Sequence, residues 1–242
     1  MELTQHTSHA YNHELEVVRT HVLQMGGLVE EQLSNAVKAL LEQDSELGAE
    51  VARNDYKVNK LEVAIDEECA RIIARRQPTA VDLRLILTII KSITDLERIG
   101  DEAEKIGRYA AEASESLDTN LTLALRHLCE HVKVMLRDTL DAFARVDDAR
   151  AMQVAETDLQ IDREFEAIYR QLITLMMEDP RNIKQSLSVV WCARALERIG
   201  DHCCNICEYV VYLVNGKDVR HTSREEVKAV LANNTTKKLP QS

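Results

Sequence analysis

Four pairs of oxygen-bearing side chains recur at i,i+4 spacing along this chain: Asp55/Asn59, Glu97/Asp101, Asp158/Asp162 and Glu197/Asp201. On a helix, residues four apart share a face, so each pair offers two oxygen ligands side by side. Crowded carboxylates repel one another unless a cation neutralises them, and hard divalent ions prefer carboxylate, amide and water oxygens. The chemistry these spacings offer is metal binding. The competing reading is a solvated acidic face, since a chain with 41 Asp and Glu makes such pairs by chance. Repetition weighs against chance, because the pentapeptide Glu-Arg-Ile-Gly-Asp stands at 97–101 and again at 197–201. Arg98 and Arg198 temper the reading: each could pair with Asp101 or Asp201 at i+3, as part of a structural ion-pair network. Gly100 and Gly200 cost about 1 kcal/mol each relative to alanine inside a helix, and close approach of a neighbouring helix is the simplest compensation.

Long helices must position these pairs. Apolar residues recur at spacings of three and four through Leu15, Val18, Val22, Met25, Val29, Leu33, Val37 and Leu40, and through Val51, Val58, Leu61, Ile65, Cys69 and Ile72. Ile86, Ile90, Ile93 and Ile99 continue the pattern, the period of an amphipathic helix. No period-two alternation calls for a strand. Breaks near 43–46, 77–79, 113–119, 146–148 and 179–181 divide the chain into six helices of roughly 28–35 residues, lengths typical of antiparallel bundles. A short helix is expected from Ser223, with Ser223 and Glu226 as a capping box, followed by a polar tail.

The two halves align with each other. Residues 35–59 run without gaps against 138–162, pairing Ala39 with Ala142, Asp44 with Asp147, Val51 with Val154 and Asp55 with Asp158. Leu-Glu-Arg-Ile-Gly-Asp at 96–101 repeats at 196–201. The expected fold is therefore all-α, two pseudo-symmetric three-helix bundles over 1–115 and 116–222, with a short helix and tail over 223–242. Residues equidistant from a hairpin turn lie level across it. Asn59 and Glu97 are level about Pro78, as are Asp55 and Asp101. Asp162 with Glu197 and Asp158 with Asp201 are level beside Pro180. Each hairpin thus sets two acidic pairs side by side. Asn205 and Glu208 are expected at the edge of the second patch; their counterparts Lys105 and Arg108 are cationic, so the second site should be the more acidic.

Composition narrows the function classes. A net charge of −11 argues against a nucleic-acid binder. No apolar signal core or membrane-length run occurs, and the six cysteines suit a reducing cytosol. The run His202-Cys203-Cys204-Asn205-Ile206-Cys207 allows a zinc site, but the first half carries no cysteine there, and buried packing is the simpler role. His127 and His131 lack the glutamate of a metalloprotease motif and suit a surface pair. No phosphate loop or nucleophile elbow is present. A catalytic reading rests on the acidic clusters alone, as a hydrolytic metal centre acting on phosphoesters; a plain helical scaffold without metal is the other alternative.

The stretch from Arg194 to His221, Arg-Ala-Leu-Glu-Arg-Ile-Gly-Asp-His-Cys-Cys-Asn-Ile-Cys and onward, resembles the PhoU family of bacterial phosphate-uptake regulators, and 77–106 resembles that family's first repeat. The resemblance runs over about residues 10–221. It implies two three-helix bundles with metal at Asp55, Asn59, Glu97, Asp101, Asp158, Asp162, Glu197 and Asp201, Asn59 departing from a carboxylate and lowering the charge of the first site. The metal is implied as a divalent ion, one of Mg, Mn, Fe or Zn. The resemblance further implies a cytoplasmic, non-enzymatic negative regulator of the phosphate-starvation response. Its implied partners are a sensor histidine kinase and the ATPase of a phosphate-specific ABC transporter, with membrane association only through them, and a homodimer.

Overall fold

The long apolar stripes fold as helices whose buried faces meet in two adjoining bundles. The structure, a computed structural model, describes residues 9–112 and 119–218. In chain order the helices are α1 (His9–Glu42), α2 (Ser45–Asn54), α3 (Tyr56–Arg76), α4 (Ala80–Glu112), α5 (Thr119–Arg145), α6 (Asp148–Glu178) and α7 (Ile183–Asn215), with a short 3-10 turn, Pro180–Asn182, ahead of α7. Helices α1 to α4 make the first bundle and α5 to α7 the second. Met25, Leu33, Ile65, Ile86 and Leu96 fill the first core, and Leu125, Leu128, Leu136, Leu196 and Val210 the second. Burying each such side chain stabilises by about 1.5–3 kcal/mol. The helix expected from Ser223 lies outside the described residues.

The repeat is visible in the turns. Gln43 and Val146, equivalent residues, both take left-handed dihedrals, φ 58° and 53°. The next residue in each half, Asp44 or Asp147, caps the following helix, accepting from Leu47 N or Arg150 N at 2.9 Å. The halves then diverge. The helix expected over 46–77 breaks at Asp55, whereas α6 runs unbroken. Asp55 keeps helical dihedrals (φ −53°, ψ −37°), but its carbonyl takes the amide of Val58 at 2.9 Å and that of its α-helical partner Asn59 only at 3.4 Å. The result is a tightened turn that carries the first acid of the first site.

The bundles meet mainly along α4 and α7, with α1 against α5. The α4–α7 crossing is antiparallel and centred near Gly100 and Gly200. Asp95 lies opposite Asn205, five residues either side, and Glu102 lies opposite Arg198, two residues either side. This juxtaposition corrects two expectations. Arg198 reaches Glu102 across the halves at 3.2 Å instead of pairing with Asp201. Asn205 donates to Asp95 Oδ1 at 3.0 Å and so belongs to the inter-bundle contact, not the edge of the acidic patch. His202 joins it, 2.7 Å from the same oxygen, and both His202 and Asp95 are buried.

Candidate metal centres

The hairpins bring their acids level as the spacing requires. Thr94 bonds Glu62, and Gly100 packs on Asp55 and Val58, contacts that keep Asp55 abreast of Asp101 and Asn59 abreast of Glu97. In the second half Gly200 packs on Asp158 and Ile161, and Arg194 on Phe165, the matching register. Gly200 has a specific reason. A Cβ on Gly200 would stand 2.9 Å from Asp158 Oδ1, and one on Gly100 would stand 3.4 Å from both Asp55 Oδ1 and Gln32 Oε1. At Gly200 the glycine leaves room for the carboxylate of the facing helix, whereas a Cβ on Gly100 would meet contacts of ordinary length.

In the first site Asp55 is buried while Asn59, Glu97 and Asp101 are half-buried. Asn59 Nδ2 donates to Asp55 Oδ2 at 3.1 Å, and Gln32 Nε2, from α1, donates to Asp55 Oδ1 at 2.8 Å. Burial, then Asp101, Glu62 and Asp55, push Glu97 above the usual carboxylate range; burial and Asp55 raise Asp101. In the second site Glu197 is buried, Asp158 and Asp162 are half-buried, and Asp201 stands at the exposed edge. Burial and the neighbouring Asp201 push Glu197 up to about 7, although Arg194 donates to its Oε1 at 2.7 Å. Loss of solvent on its inner side, then Asp162, raises Asp201. In both sites acids are being held together against their repulsion.

Three acceptors suit a cation. Gln32 Oε1, Asn59 Oδ1 and Glu197 Oε2 are buried and accept no hydrogen bond from the protein, and buried acceptors of this kind call for a partner, an ion or water. Among the described residues no three His, Cys, Asp or Glu side chains close on one point tightly enough to hold an ion by themselves. Amide oxygens and water would complete the shell of a hard ion that keeps several waters.

Gln32, Glu62 and Arg194 were not among the residues expected at the sites. Glu62 is readable in retrospect, seven residues from Asp55 on one helical face, and Gln32 as a polar break in the stripe of α1. Arg194 is visible only by aligning the repeats, where Thr94 stands in its place. Arg194 also reverses the expected charge order: the second site carries a bound cation and the first carries Glu62. The cysteines are packing residues. Cys69, Cys129, Cys192, Cys203 and Cys207 are buried, and burial pushes the Cys129 and Cys207 thiols up to about 12, away from thiolate. His127 and His131 are exposed, with His131 Nδ1 2.8 Å from Glu164.

A family model described as the PhoU domain matches the chain twice, over residues 22–110 and 125–210, once in each bundle. The chain belongs to the PhoU family. It is 54% identical over 228 residues to the phosphate-specific transport system accessory protein PhoU homolog of Pseudomonas putida, covering 94% of this chain and 89% of that one. To the phosphate-specific transport system accessory protein PhoU of Escherichia coli K12 it is 50% identical over 232 residues, 96% of each. The crystal structure of PhoU from Pseudomonas aeruginosa superposes with a TM-score of 0.82 at 51% identity, covering 86% of this chain and all of that one. That of the phosphate transport system regulatory protein PhoU from Streptococcus pneumoniae does so at 0.81 and 32%, covering 86% and 99%. The PhoU-family assignment thus rests on both repeats, and each matched segment contains one complete set of acids. No helix among the described residues is long and apolar enough to cross a membrane.

Proposed function

We propose that this chain is a metal-binding, non-catalytic regulator of phosphate homeostasis. It represses the phosphate-starvation response by linking a phosphate-specific ABC transporter, through its ATPase, to a sensor histidine kinase, and it modulates phosphate uptake. It works in the cytoplasm, as a homodimer, reaching the membrane only through these partners. The observation that carries the regulatory part is similarity over nearly the full length to proteins named as accessories of phosphate-specific transport. What supports the metal part is the pair of level acid sites with Gln32 Oε1, Asn59 Oδ1 and Glu197 Oε2 left without hydrogen bonds. Asp55, Asn59, Glu97 and Asp101 would hold one ion or cluster, and Asp158, Asp162, Glu197 and Asp201 the other. An all-oxygen donor set suits Mg²⁺ or Mn²⁺ before Fe or Zn²⁺. The metal supplies charge: it neutralises the repelling carboxylates and ties α3 to α4 and α6 to α7, so that occupancy sets the rigidity of the surface offered to partners.

The test is Glu197→Ala with Asp201→Ala in a host reporting on phosphate-starvation genes. The reading expects loss of the metal held by the second site together with derepression in phosphate-rich medium. A metal-depleted variant that still represses as the wild type does would separate site from signal. The same clustered acids carry a second reading, a metal-dependent phosphohydrolase, in which the ion they hold would activate water. Turnover of any member of a phosphoester panel by the Mn²⁺-loaded protein, abolished by Glu197→Gln, would support that reading over the regulatory one.

A further inference from the structure

The two sites hold equivalent places in the repeat but are closed by different residues. In the first, Glu62 lies seven residues beyond Asp55 on α3, and its Oε1 accepts from Thr94 Oγ1 at 3.4 Å. Their repeat equivalents are Phe165 and Arg194. There the Arg194 guanidinium lies over the Phe165 ring, 5.6 Å from its centroid, while donating to Glu197 at 2.7 Å. The third side of the sites differs as well. Gln32, 8% exposed, holds Asp55 Oδ1 at 2.8 Å and the Gly100 carbonyl at 3.3 Å, and its own Oε1 stays buried with no partner. Met135, which offers no amide oxygen, stands in its place in the second half.

The charge balance is correspondingly unequal. The first site gathers the carboxylates of Asp55, Glu62, Glu97 and Asp101 with the amide oxygens of Gln32 and Asn59. Among the described residues none of these four acids is ion-paired with a lysine or arginine, Lys105 being taken up by Glu102 at 3.0 Å. The second site offers four carboxylates of its own but carries Arg194 already seated on Glu197. That cation is held in place by the aromatic ring beneath it, a contact that favours a planar guanidinium.

Resting on the reading of these acids as metal ligands, we infer that the halves are unequal cation sites: the first is open to a divalent ion, and in the second Arg194, seated on Glu197 Oε1, is a tethered counter-cation that leaves only Oε2 to the ion and opposes its charge. The first site therefore fills at low metal concentration and the second only at higher concentration.

The test is titration of the metal-stripped full chain with Mn²⁺, counting free ion by its magnetic resonance signal and heat by calorimetry. The wild type is expected to show two classes of site, with Glu197→Ala/Asp201→Ala removing the weaker and Glu97→Ala/Asp101→Ala the tighter. Arg194→Ala should tighten the weaker class by about tenfold, the equivalent of one partly exposed charge-assisted bond, and leave the tighter class unchanged. Arg194→Gln, which keeps a stem over Phe165, should behave like Arg194→Ala, and Glu62→Gln should weaken only the tighter class. A single class in the wild type, or an unchanged weaker class in both Arg194 variants, would overturn the inference while leaving the metal reading standing. Absence of Mn²⁺ binding at both sites would overturn both.

Discussion

At the residue scale, the raised acids make stability depend on pH in a definite direction. Glu197 holds its proton up to about pH 7 in the fold, whereas in the unfolded chain it releases it near its ordinary value of 4.5. Between those values the unfolded state has lost a proton that the native state keeps, so unfolding becomes easier as pH rises through that window. Glu97, Asp101 and Asp201, all raised, act with the same sign. The chelated protein should therefore lose melting temperature from about pH 4.5 to 7, and millimolar Mn²⁺ should restore it at the upper end; a metal-free melting temperature that rises over this window would contradict the account. The two glycines give a second residue-scale prediction. Gly200→Ala forces the Asp158 carboxylate aside, since a Cβ would stand 2.9 Å from it, while Gly100→Ala meets only ordinary contacts at 3.4 Å. In Mn²⁺ binding measurements Gly200→Ala should weaken the second site severalfold, and Gly100→Ala should leave the first nearly unchanged. Because the atom displaced is the end of a flexible side chain, neither substitution should cost more than about 1 kcal/mol in stability.

At the element scale, the helices and their register were legible because they rest on local patterns. The i,i+4 acids, the apolar stripes and the turns marked by Pro78 and Pro180 suffice to set Asp55 level with Asp101 and Asp158 level with Asp201. What was not legible depends on how elements rotate and pack. The break at Asp55 has no proline or glycine to announce it. Arg198 finds Glu102, and Asn205 finds Asp95, only because α4 crosses α7, a contact that no single helix encodes. The charge order of the sites departs from expectation for a related reason: that Arg194 turns onto Glu197 and Glu62 lies toward the acids of α4 depends on how the helices are rotated against each other. The turns carry a prediction of their own. Gln77 closes α3 in the left-handed region at φ 47° with its amide on the Ile73 carbonyl, a position that favours glycine. Gln77→Gly should stabilise by about 1 kcal/mol, read as a higher denaturant midpoint with an unchanged slope.

At the scale of the whole molecule, the two halves are joined by a contact that is polar at its core. Asp95 takes His202 and Asn205, while Glu102 takes Arg198 and Lys105, and two of these groups from each half occupy equivalent repeat positions: Glu102 corresponds to His202, and Lys105 to Asn205. Such a contact sets register between the bundles as well as holding them, and removing His202 leaves the buried Asp95 with Asn205 as its remaining donor. His202→Ala should therefore destabilise by about 1–3 kcal/mol, while Asp95→Asn/His202→Leu should cost less than the sum of its parts; additivity in the double variant would mean the pair does not interact as placed.

The most direct test of the central claim, that the level acids hold divalent metal, is elemental analysis of the protein purified without chelator, beside Glu97→Ala/Asp101→Ala/Glu197→Ala/Asp201→Ala prepared identically. The account predicts stoichiometric Mg, Mn, Fe or Zn in the wild type, lost on chelation and restored on adding Mn²⁺, with none retained by the quadruple variant although its helical circular dichroism is unchanged. Equal metal content in the two proteins, or a wild type that binds no divalent ion under any loading condition, would contradict it.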